Sequence, residues 1–216
     1  MAIQFLGADG ATVAQVEAGY AAQRATIRPS AHLGWFSMGL KTGATTAVAA
    51  NAAIFSFRNL AANPLMIRRV GIGALVTTAF TAAQQIDYAL WFARAWTSAD
   101  VGGPVVAVTG NNAKHRTSLA TVTSAELRIA TTAGLTAGVR TLDTSPLSIV
   151  GGFSAAAGLG AAIPTTTNSL FSHDTGDHPL ILGQNEGIVV APFTTMGAGG
   201  AVFVYVNIEF AEVTSY

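Results

Sequence analysis

The sequence predicts an all-β protein, an antiparallel β-sandwich of jelly-roll type with an extended N-terminal arm. Three observations predict it. Short runs of β-branched and aromatic residues recur along the chain, several alternating with a period of two; clusters of Gly, Pro and Asn separate them; and helical patterns are few. Many short strands between such turns make a sandwich or a jelly roll. No repeat of fixed period is visible.

Residues 1–50 read as an N-terminal arm or peripheral segment, and 51–216 as the sandwich domain. The first fifty contain a turn at "GADGA", the extended "RATIRP", an aromatic patch in "LGWFSMGL", and then "KTGATTAVAANAA", too rich in Gly, Ala and Thr to make a core alone. Strands are expected in "IFSFRN" (54–59) and "LMIRRVGIGALV" (65–76), with "NLAANP" as the loop between them because Pro64 bars a central strand. In the second run the two arginines mark an outer face, and Gly71 and Gly73 suggest a bulge or a close backbone approach.

The segment "TAAQQIDYALWFARAW" (81–96) fits both periods. Ile86, Leu90 and Ala93 satisfy helical spacing; Ile86, Tyr88, Leu90 and Phe92 satisfy strand spacing. The clustered aromatic and branched residues favour a strand. Residues 97–125 read as loops around at most one short strand, and further strands follow in "ELRIAT" and "LILG". The clearest strand is "AVFVYVNIEFAEV", with Val202, Val204, Val206, Ile208 and Phe210 on one face and Phe203, Tyr205, Asn207 and Glu209 on the other. Its expected hairpin partner is "GIVVAPF", through the glycine-rich "TTMGAGG".

At 216 residues without cysteine, the chain can bury a full core but has neither disulfides nor thiolate metal ligands. Charged residues are 10% of it, against about 25% in ordinary soluble domains. With a mean hydropathy of +0.46, that shortage points to assembly with other subunits. Eleven basic and eleven acidic residues are scattered, which leaves no electrostatic footprint for direct nucleic-acid binding. "MAIQFLGADG" lacks the pattern of a secretory signal. Residues 144–172 carry no charge, but Pro146, Pro164 and abundant Ala, Gly and Ser favour a small-residue loop packed on another chain over a membrane span.

Candidate chemistry is sparse. "SHDTGDHPL" offers His173, Asp174, Asp177 and His178 as metal ligands, yet Gly176 and Pro179 exclude a helix there, and Asx-rich turns favour the same residues. A turn is the expected reading, with no cofactor. No G-x-S-x-G elbow is present, and neither "GLKTG" nor "GAGG" has P-loop order. Asp87, Asp100, Glu126, Asp143 and Glu186 could meet as carboxylate pairs, although so few acids are better read as solubilisers or salt-bridge partners. Trp91 looks like core, whereas Trp35 and Trp96 could stack on a pyranose ring in a glycan-binding module.

"IFSFRN", "IRRV", "FARAWTSADVGG", "TGNNAKHRTS", "LRIATTAGLTAGVRTLD", "HPLILGQNEGIVV" and "VNIEFAEV", in this order, resemble a group of tailed-bacteriophage virion proteins. The resemblance implies a non-enzymatic structural component, a capsid decoration or cement protein on the capsid exterior, made in the host bacterial cytoplasm. It further implies a homotrimer that contacts the major capsid protein or other virion proteins. A tail, neck or fibre-associated position is the alternative.

Overall fold

The computed structural model describes residues 32–108, 112–115, 125–163, 168–173 and 179–213. Among them there are thirteen strands and no helix: β1 (His32–Lys41), β2 (Phe55–Asn59), β3 (Leu65–Thr78), β4 (Gln84–Arg94), β5 (Val105–Val106), β6 (Ala125–Ile129), β7 (Thr141–Leu142), β8 (Ser148–Ser154), β9 (Gly160–Ile163), β10 (Ser169–Ser172), β11 (Leu180–Leu182), β12 (Gly187–Pro192) and β13 (Ala201–Val213). All pair antiparallel, in two sheets. The protein is therefore an antiparallel β-sandwich, and no helix in the described residues is long and apolar enough to cross a membrane.

The first sheet is ordered β1-β13-β3, and the far edge of β3 is covered along its length by three short strands. β11 pairs with Leu65–Ile67, β10 with Arg69–Gly71 and β9 with Ala74–Val76. The length of β3 is possible because its inward parity changes once. Leu65 and Ile67 face in, then Val70, Ile72, Ala74 and Val76 do, and the register against β13 shifts between them. A bulge lets the consecutive Arg68 and Arg69 both stay exposed, so it sits at the arginines and not at Gly71 or Gly73.

The second sheet is ordered β5-β6-β2-β12-β4, with β7 and β8 sharing the far edge of β4. Here β4 resolves the double periodicity of 81–96: it is a strand whose residues Ile86–Ala93 are buried on both faces, which is why polar alternation failed to identify it. β12 is buried throughout for the same reason, flanked by β2 and β4.

Two expectations are corrected. β12 and β13 are not hairpin partners, since β12 lies in the second sheet and β13 in the first; residues 193–200 cross between sheets. The uncharged stretch after residue 144 is not a loop but supplies β8 and β9. Gly152 and Ala162 show why small residues fill it: a Cβ on Gly152 would strike the Ala162 carbonyl, where the edges of the two sheets come together. Of the segment expected as an arm, residues 32–50 are described. β1 pairs with β13 from His32 to Lys41, and Thr42 and Thr45 are buried and hydrogen-bonded to Val204 and Val202. Residues 1–31, the rest of the expected arm, lie outside the described residues.

The core lies between the sheets. Phe36 from β1 stacks on Phe210 from β13 at 5.1 Å, and Phe57 from β2 meets the same ring at 4.9 Å, joining the two layers. Such pairs add about 0.5–1.5 kcal/mol each beyond the burial of their area.

Candidate functional site

Alternation along β13 builds the site. Its even-numbered residues from Val202 to Phe210 enter the core, so Phe203, Tyr205, Asn207 and Glu209 stand in a row on the outer face. Register sets their neighbours: Lys41 and Gly73 flank Tyr205, Gly39 and Gly71 flank Asn207, and Ser37 and Arg69 flank Glu209. Three of these flanking positions are glycine, and one of them, Gly39, lines the hollows of the face. A concavity of about 530 Å³ lies over Tyr205 and Asn207, and a second of about 250 Å³ adjoins it at Gly39 and Asn207 and runs to Arg69 and Glu209.

Cations cap the aromatic rings at the two ends of the row. Lys41 Nζ sits 3.8 Å above Phe203, and the Arg68 guanidinium lies 5.4 Å from the Trp35 ring. Trp35 is half-buried beside Met66, Ala211, Val213 and Ile181, a small apolar cluster on the same outer face. Between these ends, Tyr205, Asn207, Glu209 and Arg69 make no side-chain hydrogen bond, ion pair or ring contact among the described residues.

The opposite outer face is organised otherwise. Trp96 lies over Gly187, so closely that a Cβ on that glycine would come within 2.7 Å of the indole. The backbone after it pairs with residues 136–139, and a buried ion pair locks the two segments: Arg140 Nε donates to Asp100 Oδ1 at 2.9 Å, with side-chain exposures of 4% and 0%. Arg140 also stacks its guanidinium 4.9 Å from the Trp96 ring. Nearby, Glu126 accepts from Arg58 at 2.7 Å and from Arg128 at 2.8 Å.

These contacts decide the candidates from the sequence. Trp96, a glycan-platform candidate in the sequence, is 1% exposed, with its Nε1 donating to Ser98 O and the Arg140 guanidinium against its ring. Trp91 is core, as expected. The carboxylates do not meet one another: Asp143 and Glu186 share Arg94 at 2.9 and 3.2 Å, Asp100 and Glu126 hold the arginines just described, and Asp87 accepts from Thr194 and Gln85. The hydrogen bond to Asp143, chiefly, holds the Arg94 guanidinium above its ordinary pKa. Of the metal candidates, His173 follows β10, with its N–H donating to Arg68 O and its buried Nδ1 unpartnered. Asp174, Asp177 and His178 lie outside the described residues.

One constellation was invisible in the sequence. Ser37 Oγ and His115 Nε2 approach to 2.6 Å because residues 112–115 pair with the free edge of β1. They are 78 positions apart, and no local signal joins them. Ser37 sits mid-strand and gives its own N–H to Ala113 O, unlike the exposed elbow and free amides of a serine nucleophile. Comparison of the chain with protein-family models found no match, and comparison with curated proteins found none either.

Proposed function

We propose that the protein is a non-enzymatic structural protein of a tailed-bacteriophage virion, acting on the capsid exterior as a decoration or cement protein that bridges neighbouring capsid subunits. The observation that carries this reading is where the charge goes. Only 10% of the chain is charged, and part of that is turned inward: Arg58, Glu126, Arg128, Asp100 and Arg140 are engaged with one another in pairs that are mostly withdrawn from water. The remaining outside is largely small and neutral, with Ile149 and Phe153 exposed on β8 and Phe193 exposed just after β12. A surface so poor in charge is suited to extensive contact with other subunits.

On this reading the mechanism is mass action. A protein that binds only where neighbouring subunits are correctly placed stabilises the closed shell by the free energy of that binding. The order of phrases resembling tailed-phage virion proteins supports the same class, and a homotrimer on threefold positions belongs to the proposal.

Cryo-electron microscopy of intact particles tests it. The expected result is density of this sandwich on the outer shell at symmetric positions, bridging neighbouring subunits. Density confined to the tail or neck would overturn the cement role and leave a tail, neck or fibre-associated protein.

A further inference from the structure

We infer that the hollowed outer face of the first sheet is a binding site for an oligosaccharide, independent of where the protein sits in a particle. Tyr205 and Asn207 form its centre, and Arg69 and Glu209 form its polar end. Three observations combine here. The adjoining concavities of about 530 and 250 Å³ together have the size of a small-ligand site. The polar groups lining it are amide, guanidinium and carboxylate, which offer paired donors and acceptors in a plane, as vicinal hydroxyls require. None of the three has a hydrogen-bond partner among the described residues, whereas the charged groups of the opposite face are paired.

The aromatic component also falls where a sugar needs it. Phe203 and Trp35 have their faces capped by Lys41 and Arg68, but the Tyr205 ring has no such cap among the described residues and can offer a face to the C–H side of a pyranose. From Tyr205 to Glu209 the strand advances by about 14 Å, roughly two to three linked hexopyranose rings. Gly39 lines both concavities, and a Cβ there would come within 3.1 Å of Asn207 Oδ1, so a larger side chain at that exposed position would stand in them.

Other occupants fit less well. An added peptide strand needs unpaired backbone at a sheet edge, while this hollow lies on the face, over β13, which is paired on both sides. A second copy of the chain would place Arg69, Asn207 and Glu209 at the centre of the interface, where charged groups are disfavoured.

The test is a glycan array with the full-length protein, followed by calorimetric titration of the best oligosaccharide. Binding is expected, weakened roughly tenfold or more by Tyr205→Ala, by Asn207→Ala and by the groove-filling Gly39→Leu, each with an unchanged melting temperature. The two alanine variants remove only outward side chains, so they keep the test meaningful should Gly39→Leu fold poorly. Absence of binding to every oligosaccharide on the array would overturn the inference. So would binding that survives all three substitutions, or binding lost only in Trp35→Ala. Self-association abolished by the same variants in analytical ultracentrifugation would instead assign the face to a second copy.

Discussion

The two outer faces of this sandwich arise from the same alternation of residues and meet their surroundings in opposite ways. On the second sheet the chain doubles back over its own strands: Trp96 lies on Gly187, Asp100 and Arg140 clamp the covering segments, and Glu126 joins Arg58 to Arg128. On the first sheet Tyr205, Asn207, Glu209 and Arg69 line a hollow beside Gly39, with no intramolecular partner among the described residues. Charge paired internally contributes to a covering structure and has little left for a ligand. Polar groups without partners add little to folding and keep their hydrogen-bonding capacity for something else.

The contrast breaks most readily at the clamp. Arg140→Ala leaves the Asp100 carboxylate buried with the Gly138 N–H as its remaining hydrogen bond, and removing one partner of a buried pair typically costs about 3–5 kcal/mol. Urea unfolding should show a loss of that order. A loss under about 1 kcal/mol, the range of an exposed pair, would mean that the covering segments do not depend on the clamp.

A smaller effect is expected from Tyr88, which faces inward on β4 beside the outward Asp87. Burial, and secondarily the Asp87 charge, push its hydroxyl well above the usual value of 10.0. The unfolded chain therefore releases this proton first, so the contribution is fully present below about pH 10 and is lost as the pH rises above it, by up to about 1.4 kcal/mol per pH unit. Unfolding free energies measured from pH 8 to 11.5 should fall less steeply in Tyr88→Phe. Equal slopes would show that the hydroxyl is not held apart from water.

The smallest effect belongs to the bare face. Tyr205→Ala and Asn207→Ala should each change stability by no more than about 0.5 kcal/mol, as outward substitutions do. Thermal denaturation of either variant with a loss several times larger would erase the difference between the two faces and make the row structural.

Much of the strand inventory was legible because a half-buried strand writes its two environments into alternate residues. β13 is the clearest case: its inward and outward sets, and with them Tyr205, Asn207 and Glu209, could be read directly. Strands buried on both faces carry no such record. β4 fitted both periods and was read as a strand only from its clustered aromatic and branched residues, and β12 was assigned to the wrong partner because a glycine-rich connection looks the same whether it closes a hairpin or crosses between sheets. Trp35 and Trp96 looked equivalent in the sequence. Only Gly187 and Arg140, 91 and 44 positions beyond Trp96, distinguish the buried ring from the half-buried one.

What the sequence determined by itself is the all-β class, the outward row of β13 and the scarcity of charge, since local periodicity and composition hold these without reference to distant residues. The tertiary structure decided which strands share a sheet, which acids find arginines, and that Ser37 meets His115. It also decided that the hollow lies beside Asn207, because Gly39 comes from β1 and only pairing with β13 sets it opposite that residue. Contacts between residues far apart in the chain depend on register and on sheet membership, which no single stretch of sequence encodes.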